Sequence, residues 1–256
     1  MSRQFPNLKY NENQTLDLYL TERTGQPLVV CIHGGGFISG DKADKRCRQS
    51  AELLTANGLN CASLAYSLAP ADKRFSKWPR NLFDIADAMV WLQNHASQYQ
   101  YDFGRLGMLG FSAGCCLSNL YILGGSQIFD GFSYNTPVFK PLALAGFYGP
   151  YDFPSRQAER RSGDDKLNLE HSPSYWFKKN GQYAPPVLHI HGNRDTVVYL
   201  DQHERFQSDY HSRNLSFKAI IVDGFGHSFA PRDTNESGHN IDLSQEIADF
   251  FSLHLA

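Results

Sequence analysis

The sequence predicts an α/β protein: a mostly parallel central sheet with helices on both faces. Three observations carry this. Short apolar, β-rich runs alternate with helical patterns along most of the 256 residues. Several of those runs are continuously apolar, as strands buried on both faces must be. The runs also end in glycine, proline or polar turns from which helical patterns start.

Taken in order, Leu16–Leu20 (LDLYL) reads as an early strand, and Pro27–His33 (PLVVCIH) as a buried strand that ends in glycines. Residues Asp44–Asn57 have a helical pattern closed by Asn57-Gly58. Cys61–Leu68 is the next strand, stopped by Pro70. Pro79 opens a helix to Tyr99, with Leu82, Ile85, Ala86, Met89, Val90 and Leu92 at helical spacing. Leu106–Phe111 is a strand, Ala113–Leu123 a buried helix and Leu142–Gly149 another strand. Val187–Gly192 and Phe217–Val222 are strands on either side of a polar-faced helix at Asp201–Arg213. Leu243–His254 forms a terminal helix. The block Tyr151–Pro186 breaks the alternation, rich in charge, Ser, Pro and aromatics, and is expected to be a small lid or a long decorated loop within a single domain, 1–256.

Composition narrows the function. Lys and Arg total 24 against 26 Asp and Glu, a net charge of −2, which removes the general electrostatic pull toward phosphate backbones or anionic lipid. Nucleic acid and membrane are therefore not expected partners. The uncharged stretch Leu106–Phe129 is long enough for a bilayer span, but Ser112, Ser118, Asn119 and several glycines interrupt it, and strand, turn and buried helix is the better reading. The first twenty residues show no secretory h-region. An odd, sparse set of cysteines (Cys31, Cys47, Cys61, Cys115, Cys116) suits a reducing compartment, so a cytoplasmic location is expected.

Chemistry concentrates where strands end. Gly110-Phe111-Ser112-Ala113-Gly114 matches G-x-S-x-G between an apolar strand and an apolar helix. The glycines leave room for a sharp turn that holds the serine hydroxyl proud of the sheet, with a helix N-terminus behind it to favour developing negative charge. A Gly-rich turn of ordinary kind is the bland alternative. His33-Gly34-Gly35-Gly36-Phe37 follows an earlier strand and can point backbone N–H groups into a cavity. A phosphate loop would need Gly-Lys-Ser/Thr at the helix start, which is absent. A serine needs a base, and the base an orienting acid. His191-Gly192-Asn193-Arg194-Asp195 and Gly224-Phe225-Gly226-His227 each follow a strand, so Asp195 and His227 are expected at the same sheet edge as Ser112. Ser, Asp, His is the chain order this architecture calls for.

HGGGF, GFSAG, HGNRD and GFGH, in that order, resemble α/β-hydrolase esterases, above all the hormone-sensitive-lipase-like branch and small bacterial carboxylesterases related to feruloyl and acetyl-xylan esterases. Ala65-Tyr66-Ser67-Leu68-Ala69-Pro70 is similar to that family's Tyr-x-Leu-Ala-Pro segment, and Ser39-Gly40-Asp41-Lys42 to its continuation of the glycine loop. The resemblance runs over roughly residues 27–230. It implies Ser112 as nucleophile, His227 as general base and acid, Asp195 as its orienter, and the N–H groups of Gly35, Gly36 and Ala113 as the oxyanion hole. Two departures, Phe111 where that branch carries an acidic residue and a start almost at the first strand without its longer cap, lean toward the small esterases and toward arylformamidases, which share the motifs.

The expected activity is thus hydrolysis of small, short-chain carboxylic esters through an acyl-enzyme, with no metal or organic cofactor. An amidase of the same fold and a non-catalytic hydrolase-fold binding protein are the rivals. Phe37, Tyr148, Tyr175 and Trp176 are candidate substrate-binding residues, with Tyr151, Phe153, Phe177 and Phe229 as further aromatics near strand ends or in the insert. His189 and His191 share a strand face and could ligate a metal, but no Cys or carboxylate pattern completes a site, so packing is the expectation. Cys115 and Cys116 are expected to pack against the sheet. The sequence leaves the oligomeric state open, a homo-oligomer included.

Overall fold

In a computed structural model, residues 2–153 and 169–256 are described. Eight strands form one sheet in the order β1-β2-β4-β3-β5-β6-β7-β8. They are β1 (Arg3–Lys9), β2 (Thr15–Leu20), β3 (Gln26–Ile32), β4 (Asn60–Leu64), β5 (Tyr101–Phe111), β6 (Ala143–Phe147), β7 (Val187–Gly192) and β8 (Phe217–Val222). Pairings β1–β2 and β2–β4 are antiparallel, and every pairing from β4 to β8 is parallel. The principal helices are α1 (Lys45–Ala56), α2 (Arg80–Tyr99), α3 (Ala113–Gly131), α4 (Pro173–Asn180), α5 (Asp201–Ser212) and α6 (Ser244–His254). This is the helix-flanked, mostly parallel sheet that the order of elements predicts, and the α/β-hydrolase fold that the motif resemblance implies.

The period of two along the central strands sorts side chains into two cores. Leu28, Val30 and Ile32 of β3 face one side, with Leu82, Ile85 and Met89 of α2, Leu117 and Leu120 of α3, and Phe206 and Tyr210 of α5. Val29 and Cys31 face the other, with Ala51 and Leu54 of α1 and Ile247 and Phe251 of α6. Each fully buried aliphatic or aromatic side chain contributes about 1.5–3 kcal/mol. With helices on both faces, the strands' carboxyl ends form one open edge, where the loops can carry chemistry.

Boundaries differ from the sequence reading in several places, β4 ending at Leu64 rather than Leu68 and β6 at Phe147 rather than Gly149. Strand β1 was not predicted: its side chains are mostly exposed and it contains Pro6, as an edge strand can, so no apolar period marks it. Strand β5 begins at Tyr101 rather than Leu106, after Gln100 closes α2 in the left-handed conformation. Helix α3 runs on to Gly131, through polar residues that blur its period. Strands β9 (Arg232–Thr234) and β10 (Asn240–Asp242) form a small hairpin in a polar segment. The Tyr151–Pro186 block holds α4 and a 3-10 turn at Gly181–Tyr183, while residues 154–168 lie outside the described residues, and with them the question of a lid. The uncharged stretch divides into the end of β5, Ser112 and α3. No helix among the described residues is long and apolar enough to cross a membrane.

Candidate active site

Ser112 stands between β5 and α3 with φ +50° and ψ −115°, a backbone conformation that L-residues adopt rarely and only when their surroundings enforce it. The enforcement comes from close packing. A Cβ at Gly114 would fall 2.1 Å from the Ile32 carbonyl oxygen, and one at Gly110 would fall 2.6 Å from the Cys115 nitrogen. Only glycine on either side of the serine lets α3 begin hard against β3.

His227 and Asp195 reach the same point. His227 Nε2 lies 2.9 Å from Ser112 Oγ, and His227 Nδ1 lies 2.7 Å from Asp195 Oδ2. The Val197 and Val198 N–H groups donate to Asp195 Oδ1 at 2.8 and 2.9 Å. Burial pushes the Asp195 carboxyl up, but the hydrogen bonds from His191 and His227 outweigh it and hold the group well below the usual carboxylate range. Asp195 is therefore an anion at neutral pH, fixing the Nδ1–H tautomer of His227 and leaving Nε2 to accept from the serine. The three predicted residues thus form one hydrogen-bonded chain.

The glycine loop lies directly beside it. A Cβ at Gly34 would sit 3.2 Å from Ser112 Cβ. Gly35 adopts φ +117°, and its carbonyl accepts from the Ser39 N–H and the Ser39 hydroxyl, both at 3.0 Å, which curls the loop back on itself. Among the described residues, no backbone carbonyl accepts from the N–H groups of Gly35, Gly36 or Ala113. The Ala65–Pro70 segment braces the loop: Tyr66 stacks on His33 at 4.3 Å between ring centroids, its hydroxyl donates to the His33 carbonyl at 3.1 Å, and the Ala69 N–H donates to the Phe37 carbonyl at 2.9 Å. That role of Tyr66 is a contact between distant segments, and only the family-like motif signalled it.

The candidate substrate-binding aromatics separate. Phe37 stays at the site, in a wall with Phe75 at 5.7 Å and Phe153 at 6.5 Å, while His171 stacks on Phe75 at 4.5 Å. Phe75 and His171 went unnamed in the sequence because neither sits in a periodic or motif context. The His171 carbonyl accepts from Cys116 Sγ at 3.7 Å, which ties this wall to the first turn of α3. Tyr148 is corrected from lining residue to support. It is fully buried, its hydroxyl donates to the Phe229 carbonyl at 2.6 Å, and its ring packs edge-on to His227 at 4.7 Å. Trp176 and Tyr175 are also corrected. A Cβ at Gly124 would touch Trp176 at 2.7 Å, so Trp176 packs twelve residues down α3 from Ser112. That is roughly 18 Å along the helix axis. Tyr175 packs against Trp176 at 5.1 Å, with Lys179 Nζ over its ring at 4.2 Å. Beside His227, Arg194, Thr196, Asn235 and Glu236 line a polar groove.

Comparisons with known proteins agree with this architecture. Esterase LipC of Mycobacterium tuberculosis (strain ATCC 25618 / H37Rv) is 26% identical over 236 residues, which cover 83% of this chain and 55% of that protein. An acetyl esterase of Salmonella schwarzengrund (strain CVM19633) is 29% identical over 143 residues, covering 56% of this chain and 42% of that protein. The chain thus spans about half the length of these curated relatives. Among solved structures, a truncated form of a carbohydrate esterase from gut microbiota superposes with a TM-score of 0.77 at 20% identity, covering 99% of this chain and 96% of that one. An acetyl ester-xyloside bifunctional hydrolase from Caldicellulosiruptor lactoaceticus gives a TM-score of 0.76 at 19% identity, covering 96% and 94%. These likenesses show the shared fold. The BD-FAE family model matches residues 16–210, most of the sheet together with the glycine loop, Ser112 and Asp195, and the chain belongs to the BD-FAE family.

Proposed function

We propose that this protein is a serine carboxylesterase acting on small, short-chain esters through an acyl-enzyme. The observation that carries the reading is the chain from Asp195 through His227 to Ser112, at 2.7 and 2.9 Å, beside the Gly34–Gly36 loop. Ser112 Oγ attacks the ester carbonyl as His227 Nε2 takes its proton. The N–H groups of Gly35, Gly36 and Ala113 receive the oxyanion, where preorganised donors act most strongly. His227 then protonates the departing alcohol, and water repeats the sequence on the acyl-enzyme. Asp195 remains an anion throughout and stabilises the imidazolium. All these groups come from the chain itself, and the reaction calls for no metal or organic cofactor.

The aromatic wall of Phe37, Phe75 and Phe153 supports a compact acyl pocket, and the polar groove beside His227 supports a hydroxyl-bearing alcohol. The carbohydrate and acetyl esterases among the similar proteins point the same way. A small uncharged ester is then the partner, with neither nucleic acid nor membrane. All five cysteines are buried and none forms a disulfide, which supports the reducing cytoplasm as its place of action. The same groups would also cleave an aryl formamide, so N-formylkynurenine belongs in the substrate panel.

The test compares acetyl, butyryl and long-chain p-nitrophenyl esters, acetylated sugars, feruloyl esters and N-formylkynurenine, for the wild type and Ser112→Ala. Short esters should give the highest kcat/KM, and the variant should lose at least about 10⁴-fold. Undiminished hydrolysis by Ser112→Ala would remove the assignment to this serine. Faster turnover of the long-chain ester would overturn the short-acyl preference, and a higher kcat/KM on the formamide would make the enzyme an amidase.

A further inference from the structure

Beneath the carboxyl edge lies a second cluster, of which the hydrolytic reading uses only the contact of His191 with Asp195. His189 and His191 alternate on β7 and share a face, and His203, in the first turn of α5, packs against both. All three are buried, at 0%, 0% and 2% exposure. His189 Nδ1 and His203 Nδ1 are 2.7 Å apart with ring planes within 21°, an in-line hydrogen bond that one proton satisfies. His191 Nε2 donates to the Val198 carbonyl at 2.8 Å. Its Nδ1 is then a bare lone pair. Both His191 Nδ1 and His189 Nε2 are buried without a hydrogen-bond partner, a condition native cores rarely tolerate unless a water or ion completes it.

We propose that His189, His191 and His203 form a binding site for a divalent transition-metal ion of the zinc type. One ring nitrogen from each residue lies within 4.8 Å of the other two. A neutral imidazole has one lone pair in either tautomer, so once the donor of the His189–His203 hydrogen bond shifts its proton to its other nitrogen, each ring offers one lone pair and none has to lose its proton. Burial favours the neutral ring at two of them: it pushes His189 well below the ordinary histidine value and His203 down to about 4. Three imidazoles among Phe206 and Phe217, with no carboxylate in the set, suit Zn²⁺ or Co²⁺ rather than Mg²⁺ or Ca²⁺, which take oxygen ligands. Three histidines with an open fourth position are an established zinc arrangement. Metal–nitrogen bonds of 2.0–2.1 Å in a tetrahedron separate the nitrogens by roughly 3.3 Å. The His189–His203 contact at 2.7 Å must therefore open by about 0.6 Å, while His191 draws in.

Occupancy would act on the catalytic acid. His191 Nε2 is 3.4 Å from Asp195 Oδ2, the oxygen that holds His227. A cation on the other nitrogen of His191 polarises its N–H, strengthens its pull on that carboxylate and weakens the support Asp195 gives His227. The bound metal is thus an inhibitor, and this consequence, unlike the binding, rests on the esterase reading.

The test measures Zn²⁺ binding by competition with a chromophoric chelator, and Co²⁺ binding by its visible absorption, on the wild type, His203→Gln and His189→Gln, each checked for folding by circular dichroism. The wild type should bind one ion per chain with a tetrahedral Co²⁺ spectrum. Each variant should bind at least about 100-fold more weakly, since even partners one shell outside a ligand are worth about 10- to 100-fold. No ion on the wild type, or equal binding by a folded variant, overturns the site. In parallel, Zn²⁺ should slow hydrolysis of p-nitrophenyl acetate by the wild type and spare His203→Gln, whose metal-free rate should match the wild type. Equal inhibition of both would place the inhibiting ion elsewhere, for example on His227, and overturn the link to Asp195. A metal-free wild type without ester hydrolysis would sink the esterase reading and leave the binding result standing.

Discussion

Strand β7 serves two histidine-containing sites a few residues apart, and they are built by opposite rules. At its carboxyl end, Asp195 carries a full charge in a buried place, and its oxygens accept from Val197, Val198 and His227. Within the strand, His189 and His191 each keep a buried ring nitrogen with no partner, and burial holds the His189 ring neutral. The difference follows from what burial costs. An ion out of water must be saturated with hydrogen bonds or it neutralises itself, whereas a neutral imidazole that lacks one bond loses only about 1–3 kcal/mol. Asp195 therefore has a rigid, completed shell, while the histidine cluster keeps free lone pairs.

The largest expected effect breaks the saturated side. Asp195→Asn keeps the size of the group but no longer fixes the tautomer of His227. The kcat for p-nitrophenyl acetate should fall by about 10⁴-fold with the fold intact by circular dichroism. A drop of less than about tenfold would show that Asp195 does not orient His227.

How the two sites could be read in advance differs in the same way. Ser112, Asp195 and His227 were legible because each follows a strand, beside glycines that steric crowding demands, so local sequence carries their placement. Five of the six parallel strands were legible because burial on both faces writes apolar runs, and β8, an edge strand with Lys218 and Ile221 exposed, was legible from its β-rich sequence alone. His203 was not: it sits in a polar helix whose pattern says nothing of the residue it meets, and its contact with His189 exists only once α5 packs on β7. Phe75 and His171 were hidden for the same reason, and Tyr66 was signalled only by its motif. Trp176 and Tyr148 misled because an aromatic near a strand end or in an insert packs against a helix, or braces the loop that carries His227, as readily as it lines a pocket.

That ambiguity gives the next prediction. Trp176 fills space against α3, and its indole N–H donates to the Glu170 carbonyl at 2.9 Å. Trp176→Ala should cost about 3–5 kcal/mol of stability. It should leave KM for p-nitrophenyl acetate unchanged, while Phe75→Ala should raise KM with a smaller loss of stability. Urea unfolding and steady-state kinetics on both variants would reverse the correction if Trp176→Ala moved KM and Phe75→Ala did not.

Acid titration probes the saturated charge without chemistry. The folded state holds the Asp195 carboxyl below its unfolded value, which is about 3.9. A depressed carboxylate stabilises the fold fully above that unfolded value, and the contribution is lost as pH falls through the folded-state value. The stability difference between the wild type and Asp195→Asn should therefore hold steady down to about pH 4 and shrink below it. A difference that grew on acidification would mean that Asp195 is held high, and the shell around it would have been misjudged.

The smallest effect belongs to the neutral cluster, and it sharpens the contrast most. Replacing His189 and His203 together by leucine removes the hydrogen bond between them and one unsatisfied nitrogen, and puts apolar groups beside Phe206 and Phe217. Deleting both partners of a buried polar pair is close to neutral when the shape is kept, so the metal-free double variant should unfold within about 1 kcal/mol of the wild type. Either single leucine variant strands the other histidine in an apolar setting and should be less stable than the double variant. A double variant that lost several kcal/mol without metal would mean that the histidines hold the fold together by themselves, and their retained lone pairs would then need no ligand to account for them.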